Sequence, residues 1–400
     1  MHPLDGARVL DLTSSLAGPY CTQILAALGA DVVKVEHPAR GDETRQWGPP
    51  FVDGEGAIFL AANAGKRSLA LDFRTEAGHE ALLRLADRAD VLIQSLRPGR
   101  AENAGLGADD LRERNPRLVY CSIGAFGHVG PKRDRPGYDP LMQAAGGIMS
   151  VTGEPDRSAV RVGVSVVDQT TGLWAALGIL AALWERERTG EGRVVDVSLY
   201  ESAISALGYH LVGYLGSGEV PGRHGTAFPL IVPYQAFAAS DGKIMIAAAN
   251  DRLFAALCEA VELQELARDP RFATNPDRVK NRDELVSQLE ARLATETVAS
   301  WLGPLEAAGV PAAPVQDVAQ VAADEQTGAL EILQPLSHPA VRDLVTVALP
   351  LSADGERLRH RAPPPLLGEH TAEVLVEAGY SPDEVEALAA SGAVGKLPAR

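Results

Sequence analysis

"LDGARVLDLTSSLAGPYCTQILAALGADVVKVEHP", residues 4–38, contains the pattern that decides the fold. The runs "RVLDL" (8–12) and "DVVKVE" (31–36) are short, aliphatic and rich in valine, which is typical of buried strands. Between them "PYCTQILAALG" (19–29) predicts a helix that begins at a proline and ends at a glycine. A strand, a helix and a second strand at this spacing form the basic unit of a helix-covered parallel sheet.

The same unit recurs through the first third of the chain. "SLALD" (68–72), a helix from about Thr75 to Asp87, "VLIQS" (91–95) and "LVYCSIG" (118–124) extend it. We therefore predict an α/β fold whose ligand binds at the carboxyl ends of the strands. The first loop after a strand, "TSSLAGPY", has no G-x-G-x-x-G, so a nicotinamide cofactor is not expected.

The second half of the chain has a different composition and a different pattern of predicted elements. Residues 211–233 are rich in glycine and proline and predict a linker. "YQAFAASDGKIMIAAAN" (234–250) predicts a hairpin with Asp241–Gly242 at its turn. Helices are expected around 251–261 and 282–308, followed by a strand over 343–350, "DLVTVALP".

Composition excludes several classes of protein. The chain has 400 residues and a net charge of −16, which argues against a nucleic-acid partner. Its apolar runs are short for a membrane span and its start has no signal pattern, so a cytoplasmic protein without membrane association is expected. The histidines form no metal-binding pair, so metal chemistry is not expected. No G-x-S-x-G is present, which argues against a serine hydrolase. Cys21, Cys121 and Cys258 lie far apart and predict buried thiols.

Two aspartates are the remaining candidates for chemistry. Asp168 lies in "RVGVSVVDQTTGLW" (161–174), where a predicted strand passes into a helix, and Asp139 precedes another helix in "RPGYDPLMQAAGG" (135–147). Each would cap a helix, or would be an ionised carboxylate able to attack an activated acyl group. A chemical role for His128 in "SIGAFGHVGP" is less favoured. Spacing alone does not choose between capping and catalysis.

Several ordered blocks carry a family resemblance. Besides residues 4–38 they include "NAGKRSLALDFRTEAG" (63–78), "RPGYDPLMQAAGGIMSVTGEP" (135–155) and "RAPPPLLGEHTAEVL" (361–375). With them the chain resembles the class III CoA-transferases, the family of formyl-CoA transferase and the carnitine CoA-transferases. The resemblance covers nearly the whole chain.

The resemblance implies a role for both aspartates. The family nucleophile lies in a D-x-x-x-G context, which here is Asp168 followed by Gly172. It would form a mixed anhydride and then an aspartyl-CoA thioester, with water excluded. Asp139 is implied as an auxiliary residue. We expect the helix start to keep Asp168 ionised.

The resemblance also implies a CoA site. Acyl-CoA is expected as a substrate, with no permanently bound cofactor and no metal. For each basic residue in this site, the alternative is an ordinary solvated surface side chain that does not contact CoA. The implied CoA-binding residues are His37, Leu71, Arg74, Ser95, Leu96, Arg97 and Tyr138.

The family fold implies a domain arrangement and an oligomer. A Rossmann-like large domain with a parallel sheet would occupy residues 1–210, followed by the linker 211–233. A smaller α+β domain would occupy 234–330, and residues 331–400 would return to complete the large domain. Two such chains are expected to interlock as a homodimer.

Departures from the family pattern narrow the choice of expected substrates. Leu16 stands where formyl-CoA transferase has a glutamine, and that relative's glycine run is missing, so formate–oxalate exchange is not expected. "RHGTAFPLIVPYQAF" (223–237) and "APPPLLGEHT" (362–371) look more like the branch that uses succinyl-CoA or glutaryl-CoA with dicarboxylates. We therefore expect CoA transfer to a free carboxylic acid, most simply a dicarboxylate.

Two alternatives keep the same fold. An α-methylacyl-CoA racemase has G-H-D where this chain has "GYD", and a tyrosine, with an ordinary pKa of about 10, is a poor base at neutral pH. A non-catalytic acyl-CoA-binding dimer would need an altered nucleophile, whereas Asp168 is intact.

Overall fold

A computed structural model describes residues 1–395 of the chain. The strands are β1 (Arg8–Leu12), β2 (Asp31–Glu36), β3 (Phe51–Val52), β4 (Glu55–Gly56), β5 (Arg67–Ala70), β6 (Val91–Gln94), β7 (Val119–Gly124), β8 (Val194–Ser198), β9 (Tyr234–Ala238), β10 (Lys243–Ala247), β11 (Ala312–Pro314), β12 (Leu333–Pro335), β13 (Val345–Val347), β14 (Ser352–Ala353) and β15 (Glu356–Arg357).

The α-helices follow in the same chain order. They are α1 (Ala17–Ala27), α2 (Ala57–Ala62), α3 (Glu76–Ala86), α4 (Arg100–Asn103), α5 (Ala108–Arg114), α6 (Asp139–Ala145), α7 (Val166–Thr189), α8 (Leu199–Ser217), α9 (Asp251–Ala260), α10 (Gln264–Arg268), α11 (Asn275–Lys280), α12 (Arg282–Leu293), α13 (Val298–Ala307), α14 (Val318–Ala323), α15 (Glu325–Ala329), α16 (Thr371–Glu377) and α17 (Pro382–Ala390).

A six-stranded parallel sheet organises the first of two compact units. Its strand order is β5-β2-β1-β6-β7-β8, and each neighbouring pair is parallel. The predicted α/β class and the predicted parallel sheet are confirmed. Sequence reasoning did not predict the edge strand β8. Because all six strands run the same way, their carboxyl ends share one edge of the sheet, where the loops are free to build a site.

Both faces of this sheet are buried, which explains why its strands read as nearly continuous apolar runs. In β1, Val9 joins the core formed with α1 and α7, whereas the next residue, Leu10, joins the core on the other face. Leu92 and Ile93 in β6 alternate in the same way. The second face is covered by α3 together with α16 and α17.

The chain divides into two compact units. The first comprises Met1–Ile148, Val162–Val212 and residues 326–395, and the second comprises Met149–Arg161 and Gly213–Glu325. The second unit has the antiparallel sheet β11-β10-β9 and an apolar core of its own. The hairpin predicted at 234–250 is present as β9 and β10, with Asp241–Gly242 in its turn. The last five residues of the predicted return segment, 396–400, lie outside the described residues.

The strand predicted before Asp168 is wrong. Residues 161–165 form no strand, and α7 begins at Val166. Val164 is largely exposed, and the backbone N–H of Val162 donates to Gln143 Oε1 at 2.8 Å. Alternating valines give strand propensity, but a strand also needs a neighbour with which to pair, and this segment has a side-chain partner instead.

The predicted linker and helix boundaries also need correction. Helix α8 continues to Ser217, so the first residues of the predicted linker 211–233 are helical, beyond a kink at Gly208. The helix expected over 282–308 is two helices, α12 and α13. Residues 149–161, predicted within the large domain, belong to the second unit. Glycine content suggested a linker where α8 in fact continues to Ser217, because packing overrides propensity.

Of the helices in residues 1–395, α7 is long and apolar enough to cross a membrane by length and composition. The core helix of a soluble protein has the same properties, and α7 places Ala175, Ala176 and Ile179 in the core against the parallel sheet.

Candidate active site

A cleft of about 430 Å³ opens at the carboxyl edge of the parallel sheet. The loops that follow β1, β6 and β7 form its walls, together with the first turn of α7. Asp168 lies in the cleft with Tyr138, Ser95, Leu96 and Arg97. Five of the residues that sequence analysis selected therefore converge, although they come from three separate parts of the chain.

Asp168 does not cap its helix, contrary to the sequence interpretation. The cap position is Ser165, which makes no side-chain capping hydrogen bond, and Asp168 is the third residue of α7. No donor of the described residues reaches the Asp168 carboxylate. A carboxylate without hydrogen-bond partners keeps its lone pairs available for attack on a carbonyl carbon.

The helix is capped instead by Asp139, from the start of α6. Asp139 Oδ2 accepts hydrogen bonds from the backbone N–H groups of Val167 at 2.8 Å and Asp168 at 3.3 Å. Its Oδ1 accepts from Gln143 Nε2 at 2.6 Å. Asp139 and Gln143 are both buried, so these hydrogen bonds hold the first turn of α7 against α6.

The environment makes Asp168 easier to protonate. Burial, and after it the negative charge of Asp139, together raise the pKa of its carboxyl to about 7. The prediction that the helix start would keep Asp168 ionised is therefore wrong, because burial and a like charge outweigh the helix dipole. A carboxylate with so high a pKa is a stronger nucleophile when it is ionised.

Gly172 explains the spacing of the D-x-x-x-G motif. A Cβ atom at this position would lie 2.6 Å from the carbonyl oxygen of Ala17 and 3.0 Å from the ring of Tyr20. Only glycine lets α7 approach the start of α1 so closely, and one turn earlier on α7 is Asp168. The glycine thus sets the position of Asp168 relative to the loop after β1.

Buried charges hold that loop in place. Lys66 Nζ contacts Asp11 Oδ2 at 3.1 Å, and Lys34 Nζ contacts Asp42 Oδ2 at 2.8 Å while donating to the carbonyl oxygen of Thr13. Burial alone would raise the pKa of Asp42, but the charge of Lys34 outweighs it and holds that pKa below its usual range. Buried pairs of this kind are expensive to break, so they fix the cleft wall.

Three of the predicted CoA-binding residues lie outside this cleft. Arg74 donates to Asp72 Oδ1 and Oδ2, each at 2.7 Å, and its Nη2 lies 2.8 Å from His37 Nε2. The Leu71 side chain is fully buried in the core, so it is unavailable to a ligand. His37 follows β2 and Arg74 follows β5, so both still belong to the carboxyl edge of the sheet.

A second cleft, of about 560 Å³, adjoins the first along the same edge. Leu96 and Arg97 line both clefts, and His128 and Arg133 line the second one only. In residues 1–395 no three His, Cys, Asp or Glu side chains come together as a metal site.

Sequence reasoning missed Gln143, Ser15 and Arg135. Gln143 follows Asp139 by one helical turn, and that spacing is the one signal that could have indicated it. Ser15 adopts the left-handed backbone conformation, with φ 66°, in the cleft wall, and Arg135 lines the cleft beside Tyr138. Neither has a sequence signature, because each is selected by loop geometry.

An unpaired carboxylate in a cleft at the carboxyl edge of a parallel sheet is an arrangement suited to acyl transfer in an α/β enzyme. Residues 4–371 match the model of CoA-transferase family III. The chain belongs to this family, and the predicted family and enzyme class are confirmed.

Named relatives and a solved structure agree with this assignment. The chain is 40% identical to succinyl-CoA:glutarate CoA-transferase of Mus musculus over 98% of its length and 91% of the relative. It is 42% identical to succinyl-CoA:mesaconate CoA-transferase of Haloarcula hispanica, covering 95% and 97%. A crystal structure of a CAIB/BAIF family protein from Brucella suis is similar with a TM-score of 0.85 at 43% identity, covering 94% of this chain and 99% of that one.

Proposed function

We propose that the protein transfers CoA from succinyl-CoA to a free dicarboxylic acid, with Asp168 as the nucleophile. The observation that carries this proposal is the Asp168 carboxylate, unpaired in the cleft and seated by Asp139. The names of the relatives from Mus musculus and Haloarcula hispanica support succinyl-CoA as donor and a dicarboxylate as acceptor.

The chemistry needs only this carboxylate and the thiol of CoA. Asp168 attacks the thioester carbonyl of the donor, and the C–S bond breaks to give a mixed anhydride and CoA thiolate. The thiolate attacks the aspartyl carbonyl, which releases the donor acid and leaves an aspartyl-CoA thioester. The acceptor carboxylate then repeats these two steps in reverse order. Each intermediate retains an activated acyl group, so no external energy source is required.

We place CoA along the carboxyl edge of the sheet. In the strand order β5-β2-β1-β6, Arg74 follows β5, His37 follows β2, and Ser95, Leu96 and Arg97 follow β6. Arginine side chains along this edge would offset the phosphate charges that an acidic protein surface repels. The thioester would then reach Asp168 in the first cleft, with Tyr138 opposite.

We also propose that two copies associate through α7. Leu173, Trp174, Leu177 and Trp184 are each at least half exposed on this helix. Monomeric proteins seldom expose so many large apolar side chains together, and a second copy would cover them. Trp184→Asp should shift the mass measured by light scattering from that of a dimer to that of a monomer. A monomeric mass for the unsubstituted protein would contradict the proposal.

Covalent trapping tests the nucleophile directly. Incubation with succinyl-CoA and no acceptor should add the mass of CoA less one water to the peptide that contains residues 162–174. Hydroxylamine should release the adduct and leave a hydroxamate on Asp168. Succinyl-CoA or glutaryl-CoA should label far more efficiently than formyl-CoA or a long-chain acyl-CoA.

The matched variants are Asp168→Asn and Glu43→Gln, because both replace a carboxylate in the cleft wall by an amide. Only Asp168→Asn should abolish labelling while the far-ultraviolet circular dichroism stays unchanged. Labelling at Cys121, or no labelling with any acyl-CoA donor, would refute the proposal.

A further inference from the structure

Two positively charged side chains, Arg97 and Arg135, line the Asp168 cleft among the described residues. Within residues 1–395 neither guanidinium has a carboxylate partner or a side-chain hydrogen bond. An arginine fork held beside a catalytic cleft without a protein partner is suited to a carboxylate or phosphate of the ligand.

The other charges in the wall are already engaged. Asp42 pairs with Lys34 at 2.8 Å, and Glu43 accepts a hydrogen bond from the Ser15 hydroxyl. Lys34 offsets the charge of Asp42, whereas Glu43 keeps its negative charge and repels a second carboxylate of a ligand. A dicarboxylate is therefore directed toward the arginine side.

The two arginines occupy different places. Arg97 lines both the Asp168 cleft and the neighbouring second cleft, where a long CoA arm would pass. Arg135 lines the Asp168 cleft only. A group that binds the small acid and not the CoA arm must belong to the reaction cleft alone, which selects Arg135.

The loop between β7 and α6 positions Arg135 relative to the nucleophile. The Arg135 backbone N–H donates to the carbonyl oxygen of Lys132 at 3.0 Å, and Pro136 follows directly. Four residues after Arg135 comes Asp139, whose carboxylate holds the first turn of α7. One short segment therefore fixes both the arginine and the carboxylate that seats Asp168.

We infer that Arg135 binds the remote carboxylate of the dicarboxylic acid whose other carboxylate exchanges with Asp168. This inference rests on the proposed transferase function and names the residue that selects a diacid over a monoacid. A bidentate guanidinium–carboxylate contact supplies the discrimination, because a monoacid of equal length leaves the arginine unpaired.

Comparison of glutarate with valerate tests the inference, since the two acids have the same number of carbons and differ in one terminal carboxylate. With succinyl-CoA as a fixed donor, kcat/KM for the acceptor reports the second half of the reaction, so effects on the donor cancel. Arg135→Ala should lower kcat/KM for glutarate by about tenfold to hundredfold, chiefly through KM, and leave valerate unchanged. Arg135→Lys should recover part of the loss.

Arg133→Ala is the matched control, because Arg133 is in the same loop and lines only the second cleft. It should leave the glutarate-to-valerate ratio unchanged. Equal losses for both acids in Arg135→Ala, or no loss for glutarate, would overturn the inference. If the unsubstituted protein labels at Asp168 and transfers CoA while the ratio stays fixed in Arg135→Ala, the inference alone fails. If no acyl-CoA labels Asp168, the transferase function fails.

Discussion

The carboxylate of Asp139 accepts a hydrogen bond from the backbone N–H of Asp168 at 3.3 Å. One acid thus holds the backbone of another, and its negative charge acts on the neighbouring carboxyl. The contact combines two effects, because Asp139 fixes the first turn of α7 and also makes Asp168 harder to ionise. Geometry and nucleophilicity at this site therefore depend on the same residue.

Replacing Asp139 by Asn should shift the acid limb of the pH–rate profile. Asp168 reacts as the carboxylate, so activity should rise with pH through its pKa of about 7. Asp139→Asn removes the neighbouring negative charge, which lowers the pKa of Asp168 and moves the limb to lower pH. The measurement is kcat/KM for the acyl-CoA between about pH 5 and pH 9.

In the same experiment, Gln143→Leu distinguishes the effect of the Asp139 charge from the effect of the Asp139 side-chain position. It removes the donor to Asp139 Oδ1 and keeps the Asp139 charge. It should therefore reduce kcat without shifting the limb. A limb that stays in place in Asp139→Asn would show that Asp139 does not act on Asp168 electrostatically.

Asp168→Asn should abolish activity and increase the free energy of unfolding above neutral pH. The folded-state pKa of Asp168, about 7, lies well above the ordinary value for an aspartate, so ionisation opposes folding. This group's contribution is fully present below about pH 4 and is lost as the pH rises to about 7. At pH 8 the amide variant should be more stable by on the order of 1–4 kcal/mol, and at pH 4 the two proteins should be alike.

Urea denaturation of both proteins at the two pH values measures this difference. The variant should at the same time be inactive in CoA transfer. A variant that is less stable than the unsubstituted protein at pH 8 would contradict the assigned environment of Asp168.

Gly172→Ala should damage both packing and catalysis. The added Cβ would lie 2.6 Å from the Ala17 carbonyl oxygen, which is backbone and cannot rotate away. We expect a loss of about 1–3 kcal/mol in the free energy of unfolding and a fall in kcat, because α7 must move. Gly303→Ala is the control, since α13 has open space at Gly303 and the change should be neutral or slightly stabilising. Equal melting temperatures for the two variants would disprove this role of Gly172.

The cleft should not support racemisation. A racemase needs an acid and a base on opposite sides of the α-carbon, and the described lining offers Tyr138 and Asp168 but no histidine. Incubation with a 2-methylacyl-CoA in deuterated water should give no α-proton exchange above background, as judged by mass spectrometry. Rapid exchange that disappears in Tyr138→Phe would identify racemase chemistry.

Much of the fold could be predicted from the sequence. Residues 8–12 and 31–36 are strands as expected, and the helix between them begins two residues earlier than predicted, at Ala17. Local periodicity sufficed here because buried parallel strands and their covering helices each repeat an apolar pattern of fixed period. The edge strand β8 lacked that signal, since Val194 and neighbouring positions are partly exposed.

The sequence also selected Asp168 as the proposed nucleophile, through the D-x-x-x-G motif and the family resemblance. The environment of Asp168 was decided by the tertiary structure alone. Asp139, Gln143 and Asp168 meet only when α6 packs beside α7, and the resulting burial and like charge raise the pKa of Asp168, opposite to the effect that the helix start suggested. The sequence tells which ionisable residues a chain has. Desolvation and Coulomb energies depend instead on burial and on distances between groups, which exist only after folding.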